Sequence, residues 1–186
     1  MKNVLLALTA LSAVAASPAM AQSVEGEVRF GGVANGQVDS TEYRVQYDNN
    51  YAGLLNYGIE LQTRQATNEG ALGSKVSLKV GPALPTVFGF NTAAYGEVGE
   101  ALNAGNNFEF WGAGAKISRA VPGTALTLKA GYRHREGFTV RNLKEDRLNG
   151  GIDWNITEKT AIGANYYRTT GSTRTDQIGV AVTQKF

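Results

Sequence analysis

The chain carries one histidine, His134, and carboxylates stand near it at Glu136, Glu145 and Asp146. An imidazole beside a carboxylate is the material of general acid–base catalysis. The competing reading of His134 is a rim side chain that meets lipid headgroups. The sequence favours the second: it holds no G-x-S-x-G, it has no Cys, and one His falls short of the usual zinc sets. GAGAK at Gly112 does not complete a G-x-G-x-x-G fingerprint and lies inside a strand-like segment, so it is no nucleotide loop. No catalytic residue, metal or cofactor is expected, and the chain is not read as an enzyme. The remaining ionisable residues follow another rule, in which charge falls on alternate positions. Glu25, Glu27 and Arg29 interleave with Val24, Val28 and Phe30, and Arg44 stands between Tyr43 and Val45. Glu60 and Arg64, Lys75 and Lys79, Lys129 and Arg133, and Arg147 and Asp153 repeat the pattern, with Glu97, Lys116 and Lys185 completing the set. Charges so spaced can pair with one another or line a water-filled path.

Period-two alternation is the mark of a β-strand with one apolar face. It runs through VEGEVRF, EYRVQYD, LNYGIELQTR, SKVSLKV, VFGFNTAAYGE, FWGAGAKIS, ALTLKAGYRHR, RLNGGIDWNI, TAIGANYYR and QIGVAVTQKF. These make about ten strands of roughly 9–12 residues, the length that a tilted transmembrane strand requires. The alternative count is eight, with the ambiguity centred on Val87–Val98. Turn-forming stretches separate them: VANGQ, DNNYAG, GPALP, AVPGT, NITEK and TTGST, with Pro82, Pro85 and Pro122 in connections. Twenty-three Gly and only four Pro fit many short strands. The formal net charge of +2 comes without an acidic or basic block, so neither a nucleic-acid-binding arm nor a disordered tail is indicated.

The opening residues read as an export signal. Lys2 precedes an apolar run from Val4 to Ala16, and Ala19-Met20-Ala21 forms an A-x-A site, so cleavage after Ala21 is expected. Residues 22–186 then form one domain. Its apolar faces carry almost no charge and many Ala, Gly and Thr, unlike the interdigitating core of a sandwich. Large aromatics gather at strand ends. With both termini on one side, Tyr47, Tyr57, Phe88, Trp154 and Phe186 fall near one rim, and Phe30, Tyr43, Trp111, Tyr132 and Tyr166 near the other. Two aromatic girdles about an aliphatic band suit a closed sheet in lipid. The fold expected is all-β: a closed antiparallel up-and-down transmembrane barrel.

This pattern resembles the small outer-membrane β-barrels of Gram-negative bacteria, the OmpA- and OmpX-like proteins and the small porin family. The likeness spans residues 22–186 and is most specific in the last strand, Ile178-x-Val180-x-Val182-x-x-x-Phe186. It implies that this strand is the signal read by the barrel-assembly machinery. Gln184 stands where that group carries an aromatic or apolar residue. The implied partners are outer-membrane lipids, lipopolysaccharide and the assembly machinery, with no nucleic acid and a monomeric state. The fifteen charged positions above are expected to face the lumen, where cations outnumber acids. They form either an internal salt-bridge network in a structural barrel or the lining of a narrow porin-like channel that favours anions. The inward Gly112, Gly114, Gly131, Gly151 and Gly163 are expected to give long Arg and Lys side chains room to cross. Adhesion through outer loops near 35–40, 66–71, 98–106, 136–145 and 169–174 is the alternative, and a hydrolase at the rim comes last.

Overall fold

A computed structural model describes residues 22–32, 39–66, 72–103, 107–138, 144–172 and 174–186. The export signal, its cleavage after Ala21, and residues 35–38, 67–71, 104–106, 139–143 and 173 of the outer loops expected to mediate adhesion lie outside the described residues. Ten strands follow one another: β1 (Ser23–Gly31), β2 (Ser40–Tyr51), β3 (Leu55–Ala66), β4 (Leu72–Pro82), β5 (Asn91–Asn103), β6 (Phe108–Ala120), β7 (Leu126–Gly137), β8 (Lys144–Asn155), β9 (Thr160–Gly171) and β10 (Thr175–Lys185). Each pairs antiparallel with its sequence neighbours, and β10 returns to β1, closing a barrel. The seam runs from Ser23↔Lys185 to Gly31↔Gln177. Past its end, the Phe186 amide donates to the Gln22 carbonyl at 3.0 Å, so the last residue is tied down. Closure leaves no strand edge unpaired, a condition that hydrocarbon imposes on any spanning sheet.

The barrel is polar inside and apolar outside. Among the described residues the buried apolar ones are Ala101, Phe110, Ala161, Tyr167 and Ala181. Buried polar and charged residues are several times as many, while Leu78, Val80, Val98, Leu128, Leu148, Ile162, Val180 and Val182 are exposed on the outer wall. A second protein layer would bury that wall; none is present among the described residues, and the wall's composition is that of a lipid-facing band.

Two expectations require correction. VFGFNTAAYGE does not form a strand from Val87; β5 begins at Asn91, and Val87 and Phe90 close a tight turn with mutual bonds of 3.0 and 2.9 Å. Phe88 (φ 51°) and Gly89 (φ 76°) both take left-handed backbone there, the conformation of a type I′ hairpin turn. Second, parts of the expected outer loops belong to strands: 98–103 to β5, 136–137 to β7, 144–145 to β8 and 169–171 to β9. The β4–β5 ladder stops at Val80↔Gly96 and pairing resumes at the Ala83↔Ala93 bridge; Pro82, the last residue of β4, has no N–H to offer across that gap.

Gly81 marks a close approach at that interruption. A Cβ on it would lie 1.9 Å from the Ala94 carbonyl oxygen, a backbone atom that has no rotamer to escape into. Gly81→Ala is therefore expected to destabilise the barrel by about 1–3 kcal/mol, the usual cost of overpacking. The check is the urea midpoint of the refolded variant, and a wild-type midpoint would count against the packing described here.

Candidate functional site

The alternating charges converge inside the barrel. Glu60, on β3, is 1% exposed and accepts from four cations. Arg44 Nε of β2 lies at 2.8 Å, Lys79 Nζ of β4 at 2.5 Å, and Arg133 Nη1 and Arg135 Nη2 of β7 at 3.0 Å each. The β7 pair reaches across the lumen, since β7 lies four strands from β3 round the ring. Arg135 also donates from Nε to Glu97 of β5 at 2.6 Å and stacks over Phe110 at 4.8 Å. A charge buried this deeply is tolerated only when paired and hydrogen-bonded, and each of these is.

Two further clusters continue the layer. Glu27 takes Arg29 Nη2 at 2.7 Å, Arg44 Nη1 at 3.3 Å, Asn165 Nδ2 at 2.8 Å and the Tyr167 hydroxyl at 2.6 Å. Arg44 also bonds Glu25. Arg29 crosses to Glu42 at 2.5 Å and lies over the Tyr167 ring at 4.0 Å. Glu145 faces Arg147 at 3.2 Å, Lys75 at 3.2 Å and Arg133 at 3.5 Å. Together these pairs form a septum that spans the lumen.

On the terminus side of the septum lies a cavity of about 270 Å³. Arg29, Arg44, Lys79, Lys116, Lys129, Arg133 and Arg147 line it against only Glu25 and Glu60. Asn91, Thr92 and Ser118, near the strand ends, place its mouth at the rim that holds the chain termini. Lys129 is held by Asp153 at 2.6 Å. The arrangement is a basic vestibule bordered on its inner side by the ion-paired residues.

No protein-family model matches the sequence, and no curated protein matches it either. Solved structures do match. The β-domain of the Bordetella autotransporter BrkA is similar with a TM-score of 0.55 at 12% identity, over 91% of this chain and all (100%) of that one. LpxR from Salmonella typhimurium is similar with a TM-score of 0.51 at 14% identity, over 91% of this chain and 86% of that one. The KdgM porin gives 0.49 at 14% identity, over 88% and 99%. The chain has the fold of the outer-membrane β-barrels. At these identities the likeness extends to fold alone.

Within this outer-membrane barrel fold, the expected lumen residues Glu25, Glu27, Arg29, Arg44, Glu60, Lys75, Lys79, Glu97, Arg133 and Arg147 belong to the septum or its immediate border. Lys116 and Lys129 line the vestibule, and Asp153 reaches it by holding Lys129. Arg64 sits at the outer end of the lumen, exposed, donating to Ser40 Oγ at 3.1 Å, and Lys185 is exposed at the other end. The five glycines leave less room for Arg and Lys than their positions imply. Tyr95 covers Gly114, while Asn149 and Asn165 cover Gly131 and Gly151. Only Glu97 over Gly112 and the Asp153–Lys129 pair by Gly163 use such space for charge.

Glu42, Arg135 and Glu145 are septum residues that the sequence reading missed. Each shares strand parity with a residue that was found: Glu42 with Arg44, Arg135 with Arg133, Glu145 with Arg147. Glu42 and Arg135 are the end residues of EYRVQYD and ALTLKAGYRHR, and Glu145 stands two positions before RLNGGIDWNI. Glu145 also corrects the histidine cluster, because it turns inward while His134 and Asp146 turn outward. His134 Nδ1 lies 2.8 Å from Asp146 Oδ1, which also accepts the Tyr132 hydroxyl at 2.5 Å; Glu136 is 3.7 Å from Nε2. Trp111 flanks the imidazole at 5.6 Å between ring centroids. This group sits on the outer wall near the loop-side rim. Phe30, Tyr43, Tyr132 and Tyr166 lie in the same half, while Tyr47, Tyr57, Phe88, Trp154 and Phe186 lie toward the termini. Ile178, Val180 and Val182 are exposed on the outer face of β10.

Proposed function

We propose that the protein resides in the outer membrane as a porin-like barrel whose narrow pathway prefers anions and is limited by the ion-paired septum. The observation that carries this reading is the basic vestibule, where seven cationic side chains face two carboxylates. Cations lining a cleft with low-dielectric walls raise the local concentration of anions and repel cations. The septum restricts passage to small ions, since its pairs must part before anything larger moves. The export signal at residues 1–21, the aromatic girdles and contacts with lipid and lipopolysaccharide complete the proposal, with Ile178, Val180, Val182 and Phe186 as the assembly signal and a monomeric barrel as the working unit. The reading is non-enzymatic: the His134 cluster lies on the outer wall, away from the polar lumen.

One observation favours a second reading, a purely structural barrel: nearly every septum charge has its partner in place. Planar-bilayer recording of refolded protein across a salt gradient separates the two. Small steps with a reversal potential on the anion side are expected. Cation-selective steps overturn the proposal, and a silent membrane returns the structural barrel.

A further inference from the structure

The vestibule contains more donor capacity than its own acceptors use. Lys116 lines it and makes no ion pair among the described residues, whereas every other cation on the cavity wall has a carboxylate within 4 Å. Its ammonium lies 5.7 Å from the Tyr95 ring centroid, and the Lys79 ammonium lies 5.4 Å from the same ring. Two like charges drawn to one ring repel each other unless something negative joins them. The far wall adds unfilled donors. Arg133 Nε and Nη2 and Arg147 Nη1 are buried with no hydrogen-bond acceptor. Their nearest carboxylates stand off at 3.9, 3.5 and 3.7 Å. Both arginine side chains are 9% exposed and line the same cavity as Lys116. Buried donors left unsatisfied are costly, and since these nitrogens expose almost no surface to the cavity, an acceptor-rich guest would engage them once the two side chains turn toward it.

We infer that the vestibule is a binding site for a small multivalent oxyanion, of the phosphate or carboxylate kind, entering from the terminus side. Lys116 and Lys79 hold one end of the guest over Tyr95, and Arg133 and Arg147, on the wall of the same cavity, turn toward the other. A volume of about 270 Å³ admits a guest several times the size of a water, which takes about 30 Å³ in the liquid. The inference rests on the reading of the lumen as an anion path and gives that path its occupant.

Isothermal titration of the folded barrel in a zwitterionic detergent at low ionic strength tests it, with pyrophosphate in one arm and citrate in the other. Saturable binding of either supports the site, and the arm that binds names the chemistry. Lys116→Ala is expected to weaken that binding at least fivefold and Lys116→Arg to restore it, with folding of both variants verified by heat-dependent gel mobility. No saturable heat in either arm, or equal affinity in Lys116→Ala, overturns the inference. Because the titration draws no current, its failure leaves the ion selectivity of the pathway untouched, and a cation-selective current would sink the pathway reading without altering the titration.

Discussion

Replacing Glu60 by Ala is expected to lower the stability of the folded barrel by about 3–5 kcal/mol, the cost of stranding buried charge when one partner of an ion pair is removed. Glu60 is the common acceptor of Arg44, Lys79, Arg133 and Arg135. Of these, Arg135 keeps Glu97, Arg44 keeps Glu25 and Glu27, and Arg133 keeps Glu145 at 3.5 Å. Lys79 keeps only the Gln46 side chain at 2.9 Å. Four cations would then crowd one layer with too little negative charge to hold them. The strand ladders are untouched, so the barrel still closes, but the septum loosens. The same variant should therefore conduct at least tenfold more than wild type and keep its anion preference.

Two comparisons isolate the cause. Glu60→Gln retains the shape and part of the hydrogen bonding, so its urea midpoint should fall between wild type and Glu60→Ala. The double variant Glu60→Ala, Arg135→Ala removes a stranded cation together with its acceptor. Its loss should be smaller than the sum of the single losses, by a coupling of about 0.5–3 kcal/mol. A wild-type midpoint for Glu60→Ala, or strict additivity in the cycle, would show that the septum pairs are not energetically joined.

That such a septum exists was only half legible in the sequence. The ten strands were legible because a tilted strand in lipid keeps strict period two, and every hydrophobic slip would turn a charge outward. The same parity places Glu27, Arg29, Arg44, Glu60 and Arg133 inside. Partner choice was not legible. Arg135 meets Glu60 across the lumen, more than seventy positions away in sequence, and that meeting depends on how far each strand is staggered round the ring. Strand ends were the weakest part. Reading β8 from Arg147 left Glu145 to a loop and assigned it to His134, though the next inward position of that strand is residue 145 itself. Val87–Phe90 shows the opposite error. Phe88 and Phe90 alternate with Gly89 like a strand, yet Pro82, Pro85 and left-handed backbone at residues 88 and 89 make a turn there. Alternation alone does not separate a strand from a hairpin tip that has aromatic side chains.

A charge placed on the outer wall tests what covers it. Val180 sits at the centre of β10, opposite Val28 of β1 and Ala164 of β9, and is half exposed in the isolated chain. If lipid tails cover this wall, an arginine there must be desolvated at the bilayer midplane, and Val180→Arg should cost about 2–4 kcal/mol in vesicle-embedded protein. Leu54, in the turn between β2 and β3, is exposed beyond the strand ends, and Leu54→Arg should cost less than about 1 kcal/mol because the penalty fades toward the interface. A water-covered wall would behave differently: an exposed side chain on a soluble surface accepts arginine within about 0.5 kcal/mol wherever it stands. The depth dependence is therefore the discriminating result, read from denaturant midpoints of the two variants in the same vesicles. Equal, small losses at Val180 and Leu54 would mean that something other than hydrocarbon meets the apolar band, and the polar lumen would then need a different explanation from the one that membrane insertion supplies.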